Sequence, residues 1–231
     1  MNDCIVVIAT YNEARTIWKL LEGLQQYAVV IVDDSTDSTA LIAQSFVNTT
    51  IIKRGAKMGV ASAYMRGFRR ALEAPVPRYV VQMDAGMTHD PADVPRLLES
   101  MEAVQGGRAG SCPDLVIGSR FVRPPHLLGY RTVLSVAAAW GMRGLGIPVQ
   151  DATSGFRCWR ASLLGKVLQD WNPKATGFAF QLEMLYRAWD LCGGRVVEMP
   201  IAYQLTNSSF RWGMVAEALQ VYAGLWMGGC R

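Results

Sequence analysis

Short apolar runs alternate with helical segments through the first half of the chain, and this alternation constrains the fold more than any other feature. The runs are continuously apolar, as in strands that are buried on both faces of a parallel sheet. Strands are predicted over residues 4–9, 28–32, 50–53, 79–83 and 114–119, and helices over residues 14–27, 40–46, 60–72 and 92–104. The pattern predicts an α/β fold with a mostly parallel sheet that is flanked by helices.

Beyond Arg120 the pattern becomes less regular. Two prolines at 124 and 125 interrupt the chain, and a polar loop is predicted over residues 151–157. Further elements are an apolar helix over 131–146, a helix over 178–192, a strand over 195–203 and a last apolar helix over 213–227. Since no internal repeat and no linker divides these elements, a single domain over residues 1–231 is predicted.

Acidic residues follow three of the predicted strands, at Glu13, Asp34 and Asp84. In an open α/β sheet, ligands bind at the carboxyl ends of the strands, so these carboxylates are candidates for binding a ligand. They can accept hydrogen bonds from a ribose, or hold a divalent cation that in turn holds phosphates. The alternative for Asp84 is capping of the next helix, although Asp90 followed by Pro91 already suits that position.

Composition excludes several other classes of protein. With 51% hydrophobic and 18% charged residues, the chain is globular rather than disordered. A net charge of +4 without a dense basic stripe argues against nucleic-acid binding. The five scattered cysteines form no CxxC pair, which argues against zinc and disulfides and predicts a reducing, cytosolic compartment. Glycine-rich phosphate loops are absent, so a metal or basic side chains are expected to hold any phosphates.

Several motifs occur together in an order that resembles the family-2 inverting glycosyltransferases of the GT-A fold. In the first half they are residues 9–13 (Ala-Thr-Tyr-Asn-Glu), 32–37 (Val-Asp-Asp-Ser-Thr-Asp), 83–91 (from Met-Asp-Ala-Gly to His-Asp-Pro) and 114–120 (Asp-Leu-Val-Ile-Gly-Ser-Arg). In the second half the set is similar to the dolichyl- or polyprenyl-phosphate mannosyltransferases, with Arg131, Ser135, residues 151–157, Gly177, Phe178, Glu183 and residues 198–201. Each motif alone is unspecific, and the ordered set over residues 5–201 carries the resemblance.

The resemblance implies a role for each matching residue. Residues that line the pocket for the base and ribose of the donor would be Ala9, Tyr11, Glu13, Val32 and Asp34. The metal, Mg²⁺ or Mn²⁺, would be bound by Asp84 and Thr88, with Ala85 beside the donor. The sugar phosphate and the acceptor phosphate would meet Arg120, Arg131 and Ser135, which with Asp84 form the predicted catalytic set. Further basic candidates for the donor site are Lys57 and Arg211.

The implied reaction is transfer of a hexose, with mannose from GDP-mannose as the first choice, onto a polyprenyl or dolichyl phosphate with inversion. The first half of the chain, about residues 1–120, would bind the nucleotide sugar. The second half, about residues 121–231, would bind the acceptor. The implied partners are the nucleotide sugar, the polyprenyl-phosphate lipid, a membrane surface and a possible separate membrane-anchoring subunit, without nucleic acid. The implied location is cytoplasmic, peripheral on the cytosolic face of a membrane.

The sequence departs from the family at the metal site, where Gly86 replaces a usual aspartate. Two interpretations remain open: the metal is held by fewer protein ligands and more by phosphates and water, or it is dispensable. Further departures are Ala9 in place of a frequent proline, a shorter loop over residues 33–39, and a loop over 205–211 in which only Arg211 is a basic candidate. They leave the donor open, so a transferase of the same fold with UDP-glucose, another UDP-sugar or a non-lipid acceptor is an alternative. A non-catalytic protein that binds nucleotide sugars is the alternative from another class.

Most of these side chains also have a purely structural interpretation. Arg120, Arg131 and Lys57 could be solvated surface residues, Ser135 depends on the role of Arg131, and His89 is expected to cap or pack rather than to bind a ligand. Asp151 could order the acceptor loop or cap a turn. The apolar helices over 131–146 and 213–227 could pack in the core. Alternatively they could contact a membrane through Trp140, Leu145, Trp226 and Met227, with Arg143 and Arg211 at headgroup level.

Overall fold

The structure is a computed structural model that describes residues 3–73, 75–103, 112–122, 130–193, 195–203 and 213–228, with the main chain alone at positions 130, 131 and 192. Within these residues one seven-stranded sheet is formed by β1 (Cys4–Thr10), β2 (Ala28–Asp33), β3 (Thr49–Lys53), β4 (Tyr79–Asp84), β5 (Leu115–Ser119), β6 (Arg157–Arg160) and β7 (Val196–Pro200). Their order across the sheet is β3-β2-β1-β4-β6-β5-β7. All neighbouring pairs are parallel except those of β6, which runs antiparallel to both β4 and β5.

Helices cover both faces of the sheet, as the continuous apolar strands predict. They are α1 (Ile17–Glu22), α2 (Thr39–Ala43), α3 (Val60–Ala71), α4 (Val94–Glu102), α5 (Tyr130–Gly144), α6 (Ala161–Leu168), α7 (Phe180–Cys192) and α8 (Gly213–Trp226), with a 3₁₀ turn (Pro91–Asp93) before α4. One core lies between the sheet and α3, α6 and α7, and it contains Tyr64, Phe68, Trp159 and Phe180. The other lies beneath α1 and α4. The mostly parallel α/β architecture predicted from the sequence is confirmed.

The structure also contains a strand and a helix that the apolar pattern did not predict. Strand β6 has only four residues, with an arginine at each end, so it carries no apolar run of the kind that identifies the other strands. Cys158 and Trp159 within it are nevertheless fully buried. Helix α6 follows directly, while α1 is shorter than the predicted helix over residues 14–27. The predicted polar loop over 151–157 is correct up to Arg157, where β6 begins.

Strand register brings the predicted site residues to one edge of the sheet. Ala9 on β1 lies opposite Val32 on β2 and opposite Asp84 on β4. Helix α3 can approach this part of the sheet closely because Gly67 has no side chain: a Cβ there would lie 2.5 Å from a methyl carbon of Val7. The carboxyl ends of three adjacent parallel strands therefore form one continuous floor.

Helices α5 and α8 pack against each other and expose a shared apolar surface. The ring of Tyr222 lies against Gly141, and its hydroxyl donates to the carbonyl of Ala138. On the outer side, Trp140 and Trp226 are 68% and 64% exposed. Each helix thus has both a packed side and an exposed apolar side. Among the described residues, no helix combines the length and hydropathy that crossing a bilayer requires.

Candidate active site

The centre of the candidate site is Asp84, at the end of β4 between two neighbouring strands. Its side chain is 31% exposed, and the hydroxyl of Tyr64 on α3 donates to Oδ1 at 3.0 Å. The same hydroxyl lies 2.9 Å from the carbonyl of Met83, which fixes the end of the strand. Gly155 passes against the carboxylate so closely that a Cβ would lie 3.0 and 3.1 Å from its two oxygens. The carboxylate is therefore oriented from one side and confined on another, yet remains accessible.

His89 lies behind Asp84 and is buried. Its Nδ1 accepts the main-chain N–H of Asp84 at 3.5 Å and lies 3.9 Å from Oδ2, while the ring stacks on Phe156. Burial lowers the pKa of His89, which favours the neutral ring that this acceptor role requires. These contacts agree with the packing role that the sequence analysis gave to His89.

The loops after β1 and β2 are joined by hydrogen bonds. The main-chain N–H of Asn12 donates to Oγ of Ser35 at 2.8 Å, and its side-chain oxygen accepts from the N–H of Thr36 at 2.9 Å. Asn12 has a φ of 58°, a left-handed conformation that asparagine adopts at lower cost than most residues. Beside this joint, Nζ of Lys57 lies 3.8 Å from the centre of the Tyr11 ring. Lys57 and Tyr11, two residues from separate loops that are both predicted to bind the sugar nucleotide, are thus in contact.

Glu13 connects these loops electrostatically with Asp84. Its carboxylate accepts a hydrogen bond from the Thr16 hydroxyl at 2.9 Å. Burial raises the pKa of Glu13, and the negative charges of Asp84 and Asp37 raise it further, against the lowering effect of Thr16. Uncompensated negative charge at this edge of the sheet favours a cation, or a ligand that donates hydrogen bonds.

Asp34, which is predicted to bind the sugar nucleotide, has a carboxylate that is already bound by Arg54. Nε and Nη2 of Arg54 lie 2.7 and 2.5 Å from the two carboxylate oxygens, and both side chains are only 6% exposed. The N–H of Met58 also donates to this carboxylate. Sequence reasoning missed Arg54. Its position in the sequence could have indicated the pairing. Arg54 directly follows β3, the strand beside β2, so opposite charges lie at neighbouring strand ends.

Arg120 and Ser135, both in the predicted catalytic set, belong to one hydrogen-bonded network. Nε and Nη2 of Arg120 lie 2.7 and 2.6 Å from the oxygens of the buried Asp151. Nη2 also donates to the hydroxyl of Thr153, which in turn donates to that of Ser135 at 3.2 Å. Burial alone lowers the pKa of Arg120, and the hydrogen bonds and charge of Asp151 more than offset this, so the pKa is raised.

Two further residues that were not predicted as site residues fix the loop that contains Asp151. Both carboxylate oxygens of Glu198 accept main-chain N–H groups, from Gln150 and from Asp151, at 2.7 Å. Arg157 is fully buried, and within the described part of the chain its partners are main-chain carbonyls within 3.0 Å, at residues 152, 154 and 181. Burial lowers the pKa of Arg157 to about 9. Of the two roles left open for Asp151, these contacts fit the ordering of the loop.

Four further predicted site residues are Ala85, Thr88, Arg131 and Arg211, and the structure describes only some of their side chains. Ala85, predicted to lie beside the donor, is buried. The hydroxyl of Thr88 is buried and has no hydrogen-bond partner within the described ranges. Arg131 lies on the first turn of α5, with only its main chain described, and Arg211 lies outside the described residues. Among the residues that the structure describes, no three His, Cys, Asp or Glu residues are grouped closely enough to hold a metal.

Comparison with known proteins assigns this arrangement to a family. Residues 5–168 match the family described as Glycosyl transferase family 2. The chain belongs to this family. The resemblance stated from the motifs is thereby confirmed, and the protein is a glycosyltransferase.

Known relatives of this transferase match it over nearly its whole length. An undecaprenyl-phosphate mannosyltransferase from Micrococcus luteus is 33% identical over 231 residues, which covers 93% of this chain and 90% of the relative. A polyprenol monophosphomannose synthase from Mycolicibacterium smegmatis is 32% identical over 233 residues, covering 93% and 83%. The fold is similar to that of mannosyl-3-phosphoglycerate synthase from Rubrobacter xylanophilus, with a TM-score of 0.75, 17% identity, and coverage of 99% of this chain and 76% of the other.

Proposed function

We propose that this transferase moves a mannosyl group from GDP-mannose to the phosphate of a polyprenyl or dolichyl lipid, with inversion at the anomeric carbon. The observation that carries the proposal is the 33% identity, over 93% of the chain, to a relative named for mannosyl transfer to undecaprenyl phosphate. The family match over residues 5–168 includes the strand-end acidic residues, Arg120 and Asp151. The donor nucleotide is the part of the proposal that rests on the sequence motifs alone.

The donor occupies the edge of the sheet formed by β2, β1 and β4. Tyr11 is exposed beside Lys57, so its ring offers a stacking surface and the ammonium group an attraction for phosphate. Glu13 supplies a carboxylate for hydroxyl or N–H donors of the nucleoside. Ala9 and Val32, in register with each other, form the floor between them. This order along the edge directs the diphosphate towards Asp84.

The proposed cofactor is Mg²⁺ or Mn²⁺, held by Asp84 with Thr88 as a second protein oxygen. Two observations fit such an ion: the Asp84 carboxylate is partly exposed, and the buried Thr88 hydroxyl lacks a partner within the described residues. Magnesium commonly keeps several waters and takes phosphate oxygens, so few protein ligands suffice. When bound, the ion neutralises negative charge on the diphosphate.

In the proposed reaction, an oxygen of the acceptor phosphate forms a bond to the anomeric carbon while the bond from that carbon to the donor diphosphate breaks. The electron pair leaves with the diphosphate. The acceptor phosphate is ionised at neutral pH, so no side chain has to remove a proton from it. The chain's own residues therefore act by alignment and charge, which together supply most of the barrier reduction in reactions of this type.

Arg120 and Arg131 are the proposed contacts of the phosphates. Asp151 holds the guanidinium of Arg120 in one orientation, and Thr153 connects it to Ser135 on α5. An arginine fixed in this way meets a phosphate without first losing rotational freedom. Arg131, one turn before Ser135 on the same helix, would present its charge on the acceptor side.

The acceptor lipid requires the enzyme to work at a bilayer surface. Helices α5 and α8 offer the exposed Trp140 and Trp226 for this contact, since tryptophan favours the interface between headgroups and acyl chains. We place this surface on the cytosolic face of a membrane, where nucleotide sugars are available. A separate membrane-anchoring subunit would strengthen the same contact.

The test is transfer of radiolabelled mannose from GDP-mannose to a short polyprenyl phosphate, with Mg²⁺, Mn²⁺ or chelator. Asp84→Ala and Arg131→Ala are each expected to lower kcat by at least about 100-fold, the usual loss when a group that stabilises transition-state charge is removed. Asp190→Ala and Arg15→Ala, exposed residues of the same types, serve as controls and should retain activity.

Other outcomes separate the alternatives. Activity with a UDP-sugar but not with GDP-mannose would refute the proposed donor and keep the fold and family. Nucleotide binding without turnover for every donor and acceptor would favour the non-catalytic alternative, which Gly86 at the metal site suggests. Full activity in chelator would show that the metal is dispensable.

A further inference from the structure

A basic groove with a volume of about 830 Å³ runs along α3, between the end of β3 and residues 172–176, and we name it the α3 groove. Its described lining includes one acidic side chain, Glu73, and five basic ones: Lys53, Arg54, Arg66, Arg69 and Arg70. The groove adjoins the candidate active site and shares Arg54 and Met58 with it, whereas its other basic side chains have no part in the proposed reaction.

Intramolecular contacts neutralise only part of this positive charge. Arg54 is paired with Asp34, Arg70 lies 3.1 Å from Glu73, and Arg69 donates to the neutral amide of Asn172 at 3.0 Å. Lys53 and Arg66 are exposed, and neither forms an ion pair with another residue in the described ranges. The groove therefore has a positive potential that is available to an external anion.

The far wall of the groove connects it to the apolar surface of α8. Glu217 on α8 accepts the main-chain N–H groups of Thr176 and Gly177 at 2.8 and 2.9 Å. The carbonyl of Thr176 accepts from the N–H of Ala61, at the start of α3. One short segment thus joins α3 and α8, and places the basic groove next to the helix that exposes Trp226.

We propose that the α3 groove binds the phosphate headgroups of anionic lipids in the bilayer that α5 and α8 contact. Forked guanidinium groups match phosphate oxygens, and basic side chains at a bilayer surface are attracted by its negative potential. Headgroups lie beside the depth at which interfacial tryptophans rest, and the groove adjoins the helix that carries Trp226. This inference rests on the proposed membrane association, and it adds a preference for anionic bilayers that the apolar helices alone do not give.

The test is co-flotation of the full chain with vesicles of phosphatidylcholine alone, or of phosphatidylcholine mixed with phosphatidylglycerol. The groove variant is Lys53→Gln with Arg66→Gln. The matched control is Arg15→Gln with Lys19→Gln, which removes the same charge from exposed positions at α1, on the opposite face of the sheet. Both variants change exposed side chains only, so both are expected to fold.

The wild type should bind mixed vesicles more tightly than neutral ones. The groove variant should lose about 30-fold in affinity for the mixed vesicles, since each basic side chain near an anionic surface contributes a factor of about 5. Its affinity for neutral vesicles should not change, the control variant should lose much less, and added salt should remove the difference.

Equal losses in the two variants would overturn the inference, because a general effect of charge would then suffice. Equal binding of the wild type to both kinds of vesicle would also overturn it. Thermal stabilisation by inorganic phosphate that is lost in the groove variant, without a vesicle preference, would assign the groove to a soluble phosphate compound instead. Mannosyl transfer to a detergent-solubilised acceptor separates the two proposals: the groove variant should keep it, whereas its absence in the wild type contradicts the proposed function.

Discussion

Adding one methyl group at Gly155 tests whether the position of the Asp84 carboxylate controls the reaction. An alanine Cβ at Gly155 would lie 3.0 and 3.1 Å from the carboxylate oxygens, so the carboxylate has to move by a few tenths of an ångström. Gly155 does not have a positive φ, so alanine introduces no backbone strain there. The substitution therefore displaces the proposed metal ligand with little other change.

The expected result is a loss of about 5-fold in kcat/KM with nearly unchanged stability. A misplacement of about 1 Å costs on the order of 100-fold, or about 2.7 kcal/mol, so a shift of a few tenths of an ångström scales this to about 1 kcal/mol. The free energy of unfolding should stay within about 1 kcal/mol of the wild type, since the reduced entropy of the unfolded chain offsets the tight contact. Steady-state mannosyl transfer and urea unfolding measure the two quantities.

Gly165→Ala on α6 is the control, because a Cβ there meets nothing within 4 Å. It should keep activity and gain up to about 1 kcal/mol from helix propensity. Tyr64→Phe removes the hydroxyl that orients Asp84, so its effect on kcat/KM should not add to that of Gly155→Ala. Wild-type kcat/KM in Gly155→Ala, or a loss of activity that only follows a loss of stability, would refute the reasoning.

Three further predictions concern folding and reactivity. Asp151→Asn removes the charge partner of a largely buried arginine and should lower the free energy of unfolding by about 3 kcal/mol in urea. Gly141→Ala places a Cβ 2.7 Å from the Tyr222 ring, and should destabilise the packing of α5 on α8 by about 1–3 kcal/mol in thermal unfolding. Burial raises the pKa of Cys4 to about 12 and that of Cys158 well above its usual value, so neither thiol should react with a disulfide reagent at pH 8 until the chain unfolds.

Two of these predictions have a matched control, and the third has an outcome that contradicts it. Gly224→Ala on α8 meets nothing within 4 Å and should not destabilise, so equal effects of the two glycine substitutions would contradict the packing argument. Cys112 is only partly buried and should be labelled faster than the two buried thiols in the folded protein. A stability of Asp151→Asn equal to that of the wild type would mean that the arginine finds another partner at no cost.

The sequence alone was sufficient to predict the family, the mostly parallel sheet and the position of Asp84 at the end of a strand. The strands with continuous apolar runs were predicted because a strand that is buried on both faces consists almost entirely of apolar residues. Strand β6 was missed for the same reason, since Arg157 is buried by hydrogen bonds to main-chain carbonyls rather than by apolar character, and Arg160 is paired with Asp114. Burial of this kind depends on distant parts of the chain and leaves no local pattern.

By itself, then, the sequence determined which residue types stand at the strand ends, and hence that a nucleotide-sugar site was to be expected there. Only the tertiary structure decided which of these charges are already paired. Arg54 binds Asp34 across 20 residues, Arg120 binds Asp151 across 31, and Glu198 holds the Asp151 loop from 47 residues away. Such pairs form because the sheet brings separate strand ends within hydrogen-bonding distance, which no local periodicity records. The same long-range packing placed the basic groove along α3 next to the apolar surface of α8.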